Sequence, residues 1–159
     1  MSRNIYLAKR LREVLLSGKW IANTNFKEQI QDIHWHRAIQ QLGDLNSIAL
    51  LTFHINYYLK GLIEVFEGGN LTIRDKFSFD MEDVKSQEDW HALVNNFLEN
   101  AESFASHIEK MSDDIFDEPF VDAKYGNYLR NIEGMIEHCY YHLGQVVIIN
   151  KMTKGNTAS

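Results

Sequence analysis

Two histidines, His138 and His142, stand four residues apart in the run Glu137-His138-Cys139-Tyr140-Tyr141-His142-Leu143-Gly144-Gln145, within a long helical pattern. On a helix that spacing stacks both imidazoles on one face. Two neutral nitrogens one turn apart reach a single divalent ion at about 2.0–2.1 Å without bending the backbone. With seven histidines in the chain such a pair also arises by chance, so a metal site needs a third ligand. His54 is the candidate, because it lies midway along a helix that must be buried, where a charged imidazole is costly. Taken alone, a buried histidine is more often a hydrogen-bonded core residue than a ligand. Its surroundings favour the ligand: at about 100° per residue, Ser47, Tyr58, Gly61 and Val65 share its face and Tyr57 borders it. On the later helix, Asn131, Gly134, Tyr141 and Gln145 share the face of the histidine pair. Gly61 and Gly134 leave room for a ligand beside the ion, or simply let helices approach closely.

The other histidines form no such set. His34-Trp35-His36 falls at a break, and on a helix its two imidazoles would oppose each other, so both read as surface or packing residues. His107, near Glu102, Ser103 and Lys110, has no partner ligand and reads as exposed. A di-iron carboxylate bundle needs two Glu-x-x-His motifs, and only Glu88-Asp89-Trp90-His91 fits. Cys139 lies on an apolar stripe, where burial raises a thiol's pKa, and reads as core rather than nucleophile.

The elements that must hold these residues are helical throughout. Apolar positions from Asn4 to Leu16 recur at helical spacing and stop at Gly18. Thr24 or Asn25 caps a short helix running to about Ile33, with Glu28 placed to complete a capping box. Helix two runs from Gly43-Asp44 to Gly68-Gly69 and is apolar nearly all round, hence buried. Residues 70–85 form a long connection, pinned on the bundle by Ile73, Phe77, Phe79 and Met81. Helix three starts at a Ser86-x-x-Asp89 cap and reaches Met111; helix four follows Gly126-Asn127 and ends near Met152. Its apolar stripe, through Tyr128, Ile132, Met135, Ile136, Cys139, Leu143 and Val146, is centred about a quarter-turn from the histidine pair, so the pair sits beside the core seam. The fold class is therefore all-α, a four-helix bundle in one domain over residues 1–152, with a flexible tail over 153–159. The connection between helices two and three could extend about 50 Å, against about 34 Å for helix two, so it can run back along the bundle and leave those helices parallel.

Composition narrows the function classes. With 45% hydrophobic residues in 159, the chain can bury one substantial core. Sixteen basic against 22 acidic residues give a formal charge of −6, and the one basic cluster is Lys9-Arg10-Leu11-Arg12, which argues against a nucleic-acid partner. A single cysteine excludes an internal disulfide and suits a reducing compartment. The N-terminal segment carries no signal-peptide core, and no membrane span is expected, so the expected compartment is the cytoplasm.

With His54 and the run His138-Cys-Tyr-Tyr-His142-Leu-Gly144-Gln145, the chain resembles the DinB/YfiT-like superfamily of metal-binding four-helix bundles, over roughly residues 43–152. In that family one histidine comes from the second long helix and two from the last, in a His-x-x-x-His-x-Gly-Gln run. The resemblance implies an up-down-down-up topology with a long crossover between helices two and three. It also implies a small-molecule site, and the Gly18-Lys19-Trp20 loop looks like a tryptophan-bearing segment that some relatives place near the pocket.

Three neutral imidazoles and an open position describe a catalytic rather than a closed structural site. Zinc is the default ion; nickel, manganese and iron accept the same donors. The resemblance implies a metal that activates a low-molecular-weight thiol for transfer, or alternatively a hydrolase using a metal-bound water. Metal ligands are expected at His54, His138 and His142, with Gln145, Tyr58 and Tyr141 as candidates to orient an imidazole or meet a bound anion. Glu137, the nearest carboxylate in sequence, points about 100° away from His138, leaving no general base and favouring the thiol chemistry. The non-enzymatic alternative is a stress-related bundle or dimerisation module, and a homodimer through an exposed apolar strip fits either class.

Overall fold

The computed structural model describes residues 1–154. Helices are α1 (Arg3–Arg12), α2 (Phe26–Ile30), α3 (Trp35–Ala38), α4 (Ile48–Phe66), α5 (Gln87–Glu109) and α6 (Tyr128–Lys154), and the described residues contain no β-strand. α5 packs against α1 and α4, and α6 closes against α4 and α1, an all-helical arrangement compatible with a four-helix bundle.

Side-chain pairs fix the directions. Asn56 of α4 donates to Asn96 of α5 at 2.8 Å and accepts from Asn100 at 2.8 Å, while Glu67, just beyond α4, pairs with His107 at 3.4 Å. Numbers rise together along both helices, so α4 and α5 run parallel. Against α6 they run oppositely: His54 meets His138 and Phe66 stacks on Tyr128. α1 is antiparallel to α5, with Arg3 at Asp113 and Arg12 at Glu102. The buried Asn56 network is a register pin, since sliding α4 by one turn would strand its amide.

The helix ends follow from local chemistry. Ser47 accepts from Leu50 N–H at 3.2 Å, so α4 begins after Ser47 rather than after Asp44, and Leu45 stays exposed. Ser86 accepts from Asp89 N–H at 3.1 Å, the expected start of α5. Asn25, not Thr24, caps α2; Glu28 gives its carboxylate to Thr24 and Lys19, so only half of the capping box forms. α1 continues into a π-helical turn over Glu13–Ser17 and ends at Gly18 in an extended conformation. A Cβ on Gly18 would lie 2.1 Å from Glu13 Cγ, so the glycine serves close approach, not a left-handed cap. His34 precedes α3 as its N-cap and its ring stacks on His36 at 5.1 Å, both exposed.

The core is dominated by Trp90, Phe26, Phe97, Phe104, Phe116 and Phe120. Phe26 and Phe97 meet at 5.4 Å across α2 and α5, each such burial contributing about 1.5–3 kcal/mol. The expected tail at 153–159 starts too early: Thr153 is fully buried, donates to Ile149 O and accepts from Arg37; residues 155–159 lie outside the described residues. No helix among the described residues is long and apolar enough to cross a membrane.

Candidate metal centre

α4 and α6 bring His54, His138 and His142 together, with one ring nitrogen from each within 4.8 Å of the others. His138 Nε2 lies 3.1 Å from His54 Nε2 and 2.7 Å from His142 Nε2. Helical geometry sets the second distance, and the α4–α6 contact sets the first.

The outer nitrogens decide what the inner ones offer. His54 Nδ1 lies 3.2 Å from the Ser78 carbonyl, and His142 Nδ1 lies 2.6 Å from Gln145 Oε1. Both oxygens only accept, so both Nδ1 atoms carry the proton and both Nε2 atoms present lone pairs inward. His138 has no such outer partner among the described residues, and a single proton on its Nε2 cannot fully serve two facing lone pairs. A cation serves all three. Ligands about 2.05 Å from a tetrahedral ion sit about 3.3 Å apart, so the 3.1 Å pair is already close to that spacing and the 2.7 Å pair would open by about 0.6 Å.

Burial holds the rings in the neutral form a metal requires. It lowers the pKa of His54, aided by His142; pushes His138 down to about 4, aided by His142 and His54; and lowers His142. Phe79 stacks on the His54 ring at 4.1 Å and 8°, and Tyr58 meets it edge-on at 5.1 Å.

His138 opens onto a pocket of about 780 Å³ between α4, α6 and the two long connections. Its near wall holds Tyr58, Asp75 and Gly134. Tyr58 O–H donates to Asp75 Oδ1 at 2.6 Å, and burial together with that bond pushes the phenol up to about 12, keeping it a donor.

Each residue singled out in the sequence finds a distinct place. Gln145 orients His142. Tyr141 is largely exposed, with its hydroxyl 3.5 Å from Gln145 Nε2. Tyr57 accepts from Arg74 N–H at 2.9 Å and so clamps the connection rather than facing the site. The glycines divide: a Cβ on Gly61 would lie 2.0 Å from Ile73 Cγ2, so Gly61 admits the connection, while Gly134 faces open space on the pocket wall. Of the four expected anchors Ile73 and Met81 pack on the core, joined by Leu71 and Val84, while Phe77 and Phe79 are exposed. Trp20 is 88% exposed and does not line the pocket. His107 is half-buried rather than exposed and pairs with Glu67. Cys139 is fully buried, and burial pushes its thiol up. Glu137 pairs with Arg130 outside the histidine cluster.

The sequence reading does not reach Asp75, Arg74 or Ser78, and it places Phe79 only as an anchor, not on the His54 ring; all four lie on the connection after α4. One signal was available: a segment running back beside α4 must pass His54. No family model, curated protein or solved structure matches the chain.

Proposed function

We propose that the chain is a DinB-like metal-binding protein holding one divalent ion, zinc by default, at His54, His138 and His142, and that it works as a metal-dependent enzyme on a small molecule entered through the adjoining pocket. The observation that carries this reading is the pair of Nδ1 protons held outward by Ser78 O and Gln145, which aims two lone pairs at His138. The parallel course of α4 and α5 and the His138-to-Gln145 run support the family reading. A bound ion supplies acidity, lowering the pKa of a coordinated thiol or water. The chain's own residues do the rest: Gln145 fixes His142, Phe79 and Tyr58 fix the plane of His54, and the Tyr58 hydroxyl holds Asp75 on the pocket wall. Activation of a low-molecular-weight thiol for transfer is the leading chemistry. Hydrolysis is favoured by one finding absent from the sequence reading, a carboxylate, Asp75, on the pocket wall beside His138, placed to take a proton.

The test is elemental analysis of untagged protein beside His142→Ala prepared identically. About one metal per chain, lost in the variant, is the expected result. Metal absent from both, with no uptake of zinc, nickel or manganese on titration, overturns the reading and leaves an interaction or dimerisation module.

A further inference from the structure

The same pocket carries a second chemistry away from the histidines. Arg74, from the connection after α4, and Arg130, from α6, both line it. Tyr57 clamps the Arg74 backbone on both sides, accepting from its N–H at 2.9 Å and donating to its carbonyl at 3.2 Å. The Arg74 guanidinium itself has no hydrogen bond or ion pair among the described residues. Arg130 gives one nitrogen to Glu137 at 3.1 Å, which leaves most of its five N–H donors unengaged. Glu137 is not on the wall, and Asp75, which is, already accepts the Tyr58 hydroxyl. In a chain of formal charge −6, this concave wall therefore carries two guanidinium groups against one carboxylate. Leu62, Leu71, Phe120 and Met135 line the same cavity as an apolar surface.

We propose that the pocket selects a small organic anion, with its acidic group on Arg74 and Arg130, its apolar body on Leu62, Leu71 and Phe120, and its reacting end towards His138. The proposal rests on reading the pocket as the entrance to the histidine site. Planar guanidinium groups pair with carboxylate and phosphate oxygens in two-point fashion, whereas a neutral molecule of equal shape gains nothing from them. Carboxylate and phosphate share this chemistry, and the experiment separates them.

The full-length, zinc-loaded chain is titrated calorimetrically at low salt with 4-phenylbutanoate, its neutral amide and 3-phenylpropyl phosphate. An anion is expected to bind about tenfold or more tighter than the amide, as charge-assisted hydrogen bonds imply. Arg74→Gln should remove most of that preference and the Arg74→Gln/Arg130→Gln pair all of it; both side chains are exposed, and circular dichroism checks the fold. Whichever of carboxylate or phosphate binds tighter names the acidic group. Equal affinity for anion and amide, binding of none of the three, or a preference surviving the double substitution each overturns the proposal. Zinc content of the same samples separates the two readings. A zinc-free chain that keeps an arginine-dependent preference retains the anion site and loses the metal centre, and a zinc-loaded chain without the preference does the reverse.

Discussion

The seam between α1 and α5 and the seam between α4 and α6 are built from opposite uses of charge. On the first, two arginines are each answered twice: Arg3 meets Asp113 at 3.0 Å and Asp117 at 2.8 Å, and Arg12 meets Glu102 at 2.7 Å and Glu109 at 2.9 Å. These arginines hold all four carboxyls below their usual pKa range, chiefly by direct hydrogen bonds. On the second, three imidazoles are kept neutral and aim their inner nitrogens at one another, and Arg74 stands unpaired beside them. At the first seam both guanidinium groups are matched by carboxylates. At the second, the inner imidazole nitrogens and the Arg74 guanidinium are left unmatched beside the pocket.

The largest effect expected from this contrast is on the side with unmatched donors. Gln145→Ala frees the Nδ1 proton of His142 and should weaken metal binding about 10–100-fold in a competition titration against a chromophoric chelator, while Gln145→Glu, which keeps an acceptor, retains affinity. Unchanged affinity in the alanine variant would show that the outer hydrogen bond does not tune the site. Arg12→Ala should cost about 1 kcal/mol in urea denaturation, because its bidentate pairs are partly exposed, and should leave the metal content alone. Metal lost from that variant would mean the two seams are coupled.

The smallest effect is a pH dependence at Arg3. The folded-state pKa values of Asp113 and Asp117 are depressed, so their contribution is complete above the unfolded value, about 3.9, and is lost as pH falls through the folded values. The gap in Tm between the parent chain and Arg3→Ala should therefore be constant at neutral pH and close in acid below about pH 4. A gap that persists in acid would assign the role of Arg3 to its place over the Phe116 ring, 5.5 Å away.

Legibility in the sequence followed regularity. The cap at Ser86, the stripe of α6 and the pairing of His138 with His142 were readable because each depends on spacing along one helix. The sequence places the start of α4 after Gly43-Asp44, yet the hydroxyl of Ser47 caps the helix three residues later. Phe77 and Phe79 read as anchors by hydrophobicity alone. A segment without periodicity does not say which way its side chains face, and Phe79 lies on His54 with 41% of its surface exposed. Asp75 and Arg74 were invisible for the same reason: they matter through the path of the connection and not through any pattern they form.

The acceptor that fixes the His54 tautomer is a main-chain carbonyl, at Ser78, and every amino acid carries one. Side-chain replacements at position 78 that preserve the loop's path will leave that bond in place; those that lose the buried Ser78 hydroxyl, which donates to Asp75 O at 2.7 Å, will act through the path itself. Insertions or deletions between Arg74 and Phe79 will not be silent, because they move the oxygen. This determinant of the centre is written in chain length rather than in residue identity.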